Sequence, residues 1–149
     1  MAFEITTQVS WAHLDANAHM ANTAYLDLAV DARFSYFASC GLPPSEFARL
    51  HIGPVVRRDE VDYFKELRLL QPVRVTMSLA GLSEDGSRFR IRNEILRPDG
   101  VVAARITTTG GWFDLAARKL ILPPEKLADA VRTLDRTDDF EVLESSIKD

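Results

Sequence analysis

A chain of 149 residues has room for one domain and one core, and 46% hydrophobic with 27% charged residues is the composition of an ordinary globular protein. The formal net charge is −4 and no Lys/Arg cluster exceeds the pair Arg57–Arg58, which argues against a surface built for nucleic acid or an anionic membrane. Met1 to Trp11 does not read as a signal peptide, no run of roughly 18 apolar residues could span a bilayer, and the single cysteine, Cys40, can close no internal disulfide, so a cytoplasmic protein is predicted.

Phe3 to Val9 has the residue types of a short strand. Ser10 to Ala21 is polar and without periodicity, and carries His13, Asp15, Asn17 and His19. From about Asn22 to Cys40 the spacing predicts one long helix. Thr23, Asp27, Asp31, Ser35 and Ser39 recur every four residues and so share one face, while nearly every other position is apolar, with Arg33 the exception. A helix lying on a sheet shows an apolar stripe. This one shows a thin polar stripe on an apolar cylinder, and should be covered by protein on most sides. Gly41 ends it, and Pro43 and Pro44 prevent its continuation.

After a short connection, Ile52 to Lys65 reads as a strand with mixed faces. Pro72 to Ala80 alternates, with Val73, Val75, Met77 and Leu79 on the inner face. Asp85-Gly86 marks a tight turn, Ser87 to Leu96 alternates again, and Pro98-Asp99-Gly100 marks a second turn. A long strand follows from Val101 to Phe113, where Gly110-Gly111 predicts a bulge or sharp bend. Pro123-Pro124-Glu125 opens a short helix to about Leu134, and residues 135–149 form an acidic, weakly patterned tail predicted to be loosely ordered. One strand, one long helix and four further strands predict an α+β domain over residues 1–134. In it a curled antiparallel five-stranded sheet wraps around one helix, which is the hotdog fold.

The run Asp15-Ala16-Asn17-Ala18-His19-Met20-Ala21-Asn22-Thr23-Ala24-Tyr25-Leu26 resembles the signature of the 4-hydroxybenzoyl-CoA thioesterase family. Members carry an aspartate, then a Gly-His-hydrophobic-Asn-Asn stretch, a tyrosine and a long helix. Ala32-Arg33, the helix end Ser39-Cys40-Gly41-Leu42-Pro43-Pro44 and Leu122-Pro123-Pro124-Glu125 fit as well, so the likeness covers about residues 3–134. Ala18 stands where a glycine is usual and Ala21 where the first asparagine is usual, departures that bear on loop geometry and substrate preference.

The resemblance implies a thioester hydrolase acting on acyl-CoA or acyl carrier protein substrates, without cofactor or metal. It also implies a homodimer or homotetramer with the active site between subunits. Asp15 would be the nucleophile or general base, and the backbone N–H at Asn22 the oxyanion donor. The chemistry is reasonable: one carboxylate attacks or activates water, and the first turn of a helix offers unpaired N–H groups and partial positive charge. Taken alone, an aspartate shortly before a helix is more commonly a turn or cap residue, and the motif around Asp15 reverses that balance.

His19 is more commonly a structural hydrogen-bonder in such a place, Asn22 can cap the helix, and Tyr25 reads as core with its hydroxyl at the pocket edge. Glu60 is the second acid to weigh, since some hotdog thioesterases use a glutamate from another segment. Lying in a strand-like run, it is expected to have a structural or pocket-lining role and is counted with His19 and Tyr25 among the substrate-binding candidates. Arg57, Arg58, Arg88 and Arg90 are candidates for the CoA phosphates, although a solvated strand face explains them equally, and no Gly-rich phosphate loop is present. His13, Asp15 and His19 match no zinc spacing. Two alternatives share the fold. One is an enoyl-CoA hydratase or dehydratase, whose Asp-x-Asn-Pro-hydrophobic-His loop needs a proline this chain lacks and a histidine one position beyond His19. The other is a non-catalytic acyl-binding module, against which Asp15 weighs.

Overall fold

The computed structural model describes residues 2–147. Strand β1 (Phe3–Gln8) leads through one turn of 3-10 helix (Trp11–His13) and an irregular loop into α1 (Ala24–Ser39) and a short α2 (Pro44–Leu50). Four long strands follow: β2 (Ile52–Tyr63), β3 (Pro72–Ser83), β4 (Arg88–Leu96) and β5 (Val102–Asp114). The chain closes with β6 (Lys119–Ile121), α3 (Glu125–Arg132) and β7 (Arg136–Leu143). The sheet order is β1-β3-β4-β5-β2, antiparallel at every step.

Period-two alternation decides which face is buried. Val73, Val75, Met77 and Leu79 of β3 and Phe89, Ile91 and Ile95 of β4 all point into the core. Along α1 the core divides in two. Tyr25, Leu28, Ala29 and Ala32 pack on Val73, Val75, Ile95 and Ile106. Tyr36 and Phe37 pack with Phe47, Phe89, Trp112 and, from α3, Leu127 and Val131. The expected hotdog arrangement is present, with the sheet curled around α1.

Two short strands extend the five expected. β6 pairs with the end of β5 beyond the reach of β4. β7 lies parallel to β3, beyond the stretch that β1 covers. The loosely ordered tail expected from residue 135 is thus mostly a strand. Its acidity serves a purpose that composition cannot show: Asp139 and Glu141 pair with Arg92 and Arg90 on the outer face of β4, the first at 2.8 Å. Asp85 then fastens the end of the chain by accepting from the hydroxyls of Ser87 and Ser145.

The bulge sits one strand away from where the glycine pair places it. Val56 faces Gly110 and Arg58 faces Thr109, so Arg57 of β2 is the extra residue. Gly110 is required because any Cβ there would collide with the Val55 carbonyl.

The cover expected for α1 is incomplete in one chain. Val30 and Phe34 are 38% and 39% exposed, and Val56 on the edge strand β2 is 53% exposed. These three side chains line one apolar cavity of about 270 Å³ between α1 and the sheet.

Candidate active site

The polar stretch before α1 is a stitched loop. The Val9 N–H donates to the Gln71 carbonyl at 3.0 Å, the Ala21 N–H to His13 at 2.7 Å, and the Met20 N–H to Leu67 at 2.8 Å. Within it Asp15 forms a turn of its own: Oδ1 accepts from the Asn17 N–H at 2.8 Å and the His19 N–H at 3.3 Å. The Asp15 N–H closes the turn on the His19 carbonyl at 2.9 Å. Reversing the chain here takes a left-handed residue, and Ala18 has φ 60°. The loop therefore keeps the backbone a glycine would favour, with alanine in its place.

Asp15 Oδ2 has no hydrogen-bond partner among the described residues, and the side chain is exposed. Seven residues on, the loop delivers the start of α1. Thr23 is the residue before the helix and makes no side-chain cap. Asn22, the alternative cap, makes no side-chain cap among the described residues either, and its N–H has no acceptor among them. Its carbonyl accepts from the Tyr63 hydroxyl at 2.8 Å.

Tyr63 stands edge-on to Tyr25 at 5.2 Å between ring centroids, and the Tyr25 hydroxyl donates to the Lys65 carbonyl at 3.4 Å. Burial pushes the Tyr25 phenol above its ordinary value, and Tyr63 and the carboxylates of Glu66 and Asp15 add to that push. Asp15, Tyr25, Tyr63 and Glu66 thus share one neighbourhood around the Asn22 end of α1. His19 belongs to it through Glu66, with Nε2 3.5 Å from Glu66 Oε2, and through a bridge to Arg68.

Arg57, Arg58 and Glu60 stand apart. They lie on the exposed edge strand β2, with Arg58 Nε 3.5 Å from Glu60 Oε1, and no hydrogen bond or ion pair among the described residues joins them to the Asp15 loop. Tyr63 is the β2 residue that reaches the loop, and Glu60 lies about 10 Å back along the strand. Arg57 and Arg88 line a separate open groove near Gly110 and Gly111.

A polar network that runs from buried Asn93 and Thr108 out to the exposed Asp59 escaped sequence reading. Arg33 Nε donates to Asn93 Oδ1 at 3.0 Å and its Nη2 to Thr108 Oγ1 at 2.5 Å, while Thr108 donates to Asp59 Oδ1 at 2.5 Å. Burial lowers the Arg33 guanidinium below its ordinary value and the Asp59 charge partly restores it. The signal was there: Arg33 is the one cation in the helix and lies off its polar stripe. It gives the apolar cavity behind Val30, Phe34 and Val56 a polar wall of Arg33 and Thr108.

Among the described residues no group of three or more His, Cys, Asp or Glu is placed to hold a metal ion, and no helix is long and apolar enough to cross a membrane.

The fold has many solved counterparts. A Staphylococcus aureus protein solved in complex with CoA is 21% identical, with 89% of this chain and 82% of that one covered and a TM-score of 0.80. A 1,4-dihydroxy-2-naphthoyl-CoA thioesterase from Synechocystis is 19% identical over 90% of this chain and 98% of its own, with a TM-score of 0.79. The DHNA-CoA thioesterase of Staphylococcus aureus is 18% identical, covers 87% of each chain and has a TM-score of 0.78. Such identities establish the shared fold. No curated protein sequence matches significantly. The family model described as the thioesterase-like superfamily matches residues 9–131, most of the chain, and the protein belongs to that superfamily.

Proposed function

We propose that the protein hydrolyses acyl-CoA-type thioesters, with Asp15 as nucleophile or general base and the backbone N–H of Asn22 as oxyanion donor. One observation carries the reading: a single loop presents a carboxylate oxygen and a helix-start N–H, both without partners among the described residues. Membership of the thioesterase-like superfamily supports it. In the reaction, Asp15 Oδ2 attacks the thioester carbon, or takes the proton of a water that attacks it. The carbonyl oxygen gains charge against the Asn22 N–H at the positive end of α1. The thiolate then leaves without a strong general acid. Where Asp15 has attacked, a water hydrolyses the mixed anhydride formed on its carboxylate, and by either route the acyl group departs as a carboxylate and Asp15 is regenerated.

Steady-state kinetics of two variants test this. Asp15→Asn keeps the turn, because the amide oxygen accepts the same two N–H groups, and is expected to lower kcat by on the order of 10²-fold or more. Asn22→Ala keeps the backbone donor and is expected to change kcat by less than about threefold. Near-normal kcat in Asp15→Asn would remove the assignment and make Glu60 the next acid to substitute. Hydration of crotonyl-CoA, followed by absorbance, would point to the hydratase alternative instead.

A further inference from the structure

Beside the Asp15 loop lies an open groove of about 550 Å³ lined by Phe64, Lys65, Glu66, Arg68, Gln71 and Arg97. Three cations and one carboxylate converge there, in a chain whose net charge is −4. They are also held more loosely than the arginines of the outer sheet face. Arg74, Arg92 and Arg105 lie 2.8 to 3.1 Å from their carboxylates. Arg68 and Arg97, by contrast, stand 3.9 Å from Glu66 and Asp99, and no carboxylate pairs with Lys65 among the described residues. Arg97 Nε is buried and has no acceptor among the described residues.

The groove is built from the segment that holds the candidate active site. Lys65 receives the Tyr25 hydroxyl, Leu67 receives the Met20 N–H, and Arg68 bridges His19. A ligand whose thioester reached Asp15 would extend past these residues. Phe64, 49% exposed, adds an aromatic surface that suits a nucleobase.

We infer that this groove holds the phosphates of the nucleotide end of coenzyme A, which makes CoA, rather than a carrier protein, the thiol that delivers the acyl group. The inference rests on the thioesterase reading for its chemistry and adds the carrier. It also moves phosphate recognition away from Arg57, Arg58, Arg88 and Arg90.

The test compares an acyl-CoA with the same acyl group on N-acetylcysteamine, which lacks the nucleotide, in wild type and in the triple variant Lys65→Gln, Arg68→Gln, Arg97→Gln. The ratio of the two KM values is expected to shift against acyl-CoA by at least about tenfold, since charge-assisted contacts to phosphate are the strong ones. The KM for acyl-CoA in wild type should rise with ionic strength. Calorimetric titration with adenosine 3′,5′-bisphosphate is the second arm and should show binding weakened at least tenfold in the variant. An unchanged KM ratio with unchanged titration overturns the inference. So does transfer of the effect to Arg57→Gln with Arg88→Gln, or wild-type preference for acyl carrier protein thioesters. If wild type released thiol from no thioester, the thioesterase reading would fall while the titration still decided the groove. Should the triple variant not fold, Lys65→Gln and Arg68→Gln, both on exposed side chains, read the same two quantities singly.

Discussion

The two oxygens of the Asp15 carboxylate stand in different surroundings. Oδ1 holds the turn and Oδ2 has no partner among the described residues, so the turn role suggested by position leaves one oxygen for the role proposed from the motif. Sequence could put Asp15 and Asn22 forward together because both lie on one continuous loop. It could not have shown that Tyr63 and Glu66, some forty residues later, complete the neighbourhood, since that depends on β2 ending against the start of α1. Ala18 offers a residue-scale prediction. A left-handed alanine costs on the order of 1 kcal/mol, which Ala18→Gly would relieve, against a smaller loss from greater freedom of the unfolded chain. The variant is expected to gain about 0.5 kcal/mol in chemical denaturation. A loss of more than that amount would show that the loop draws no strain from its alanine.

At the scale of elements, α1 was the most legible part and the end of the chain the least. The helix declared itself through apolar positions that no surface helix would carry, and seven of its side chains are buried as the pattern required. The final strand was illegible because its acidic residues look like a solvated tail until the β4 arginines they pair with are placed beside them. α2 was missed for another reason: seven residues beginning at a proline give too few turns for periodicity to register. The stripe on α1 gives the prediction for this scale. Ala29 is fully buried, so Ala29→Asp places an unpaired charge in the core at a cost of several kcal/mol, comparable with the whole stability of a small domain. Ser35 is exposed, and Ser35→Asp should stay within about 0.5 kcal/mol of wild type. Thermal melts of the pair decide it, and equal losses would mean the stripe was misread.

For the molecule as a whole, the open question is what covers β2. It is a twelve-residue strand paired on one side only, and long exposed edges are normally paired, covered or blunted. Val56 on that edge, with Val30 and Phe34 of α1 behind it, leaves an apolar surface in contact with water. A second copy joined edge to edge at β2 would remove both defects, in keeping with the dimer or tetramer the family resemblance implies. A two-fold axis across β2 makes the pairing antiparallel, so the Ile52 end of the strand in one chain would lie towards the Tyr63 end in the other. That end carries Asn22 and the Asp15 loop. The apolar cavity of each chain would then lie on the side of its partner's Asp15 loop, with room for an acyl group between them. Light scattering at micromolar concentration is expected to give at least twice the mass of one chain. Val56→Lys, which sets like charges against the pairing, should shift the mass towards the monomer and reduce thioester hydrolysis in parallel. A wild-type monomer that hydrolyses at full rate would show that one chain contains the whole site and that β2 is left open.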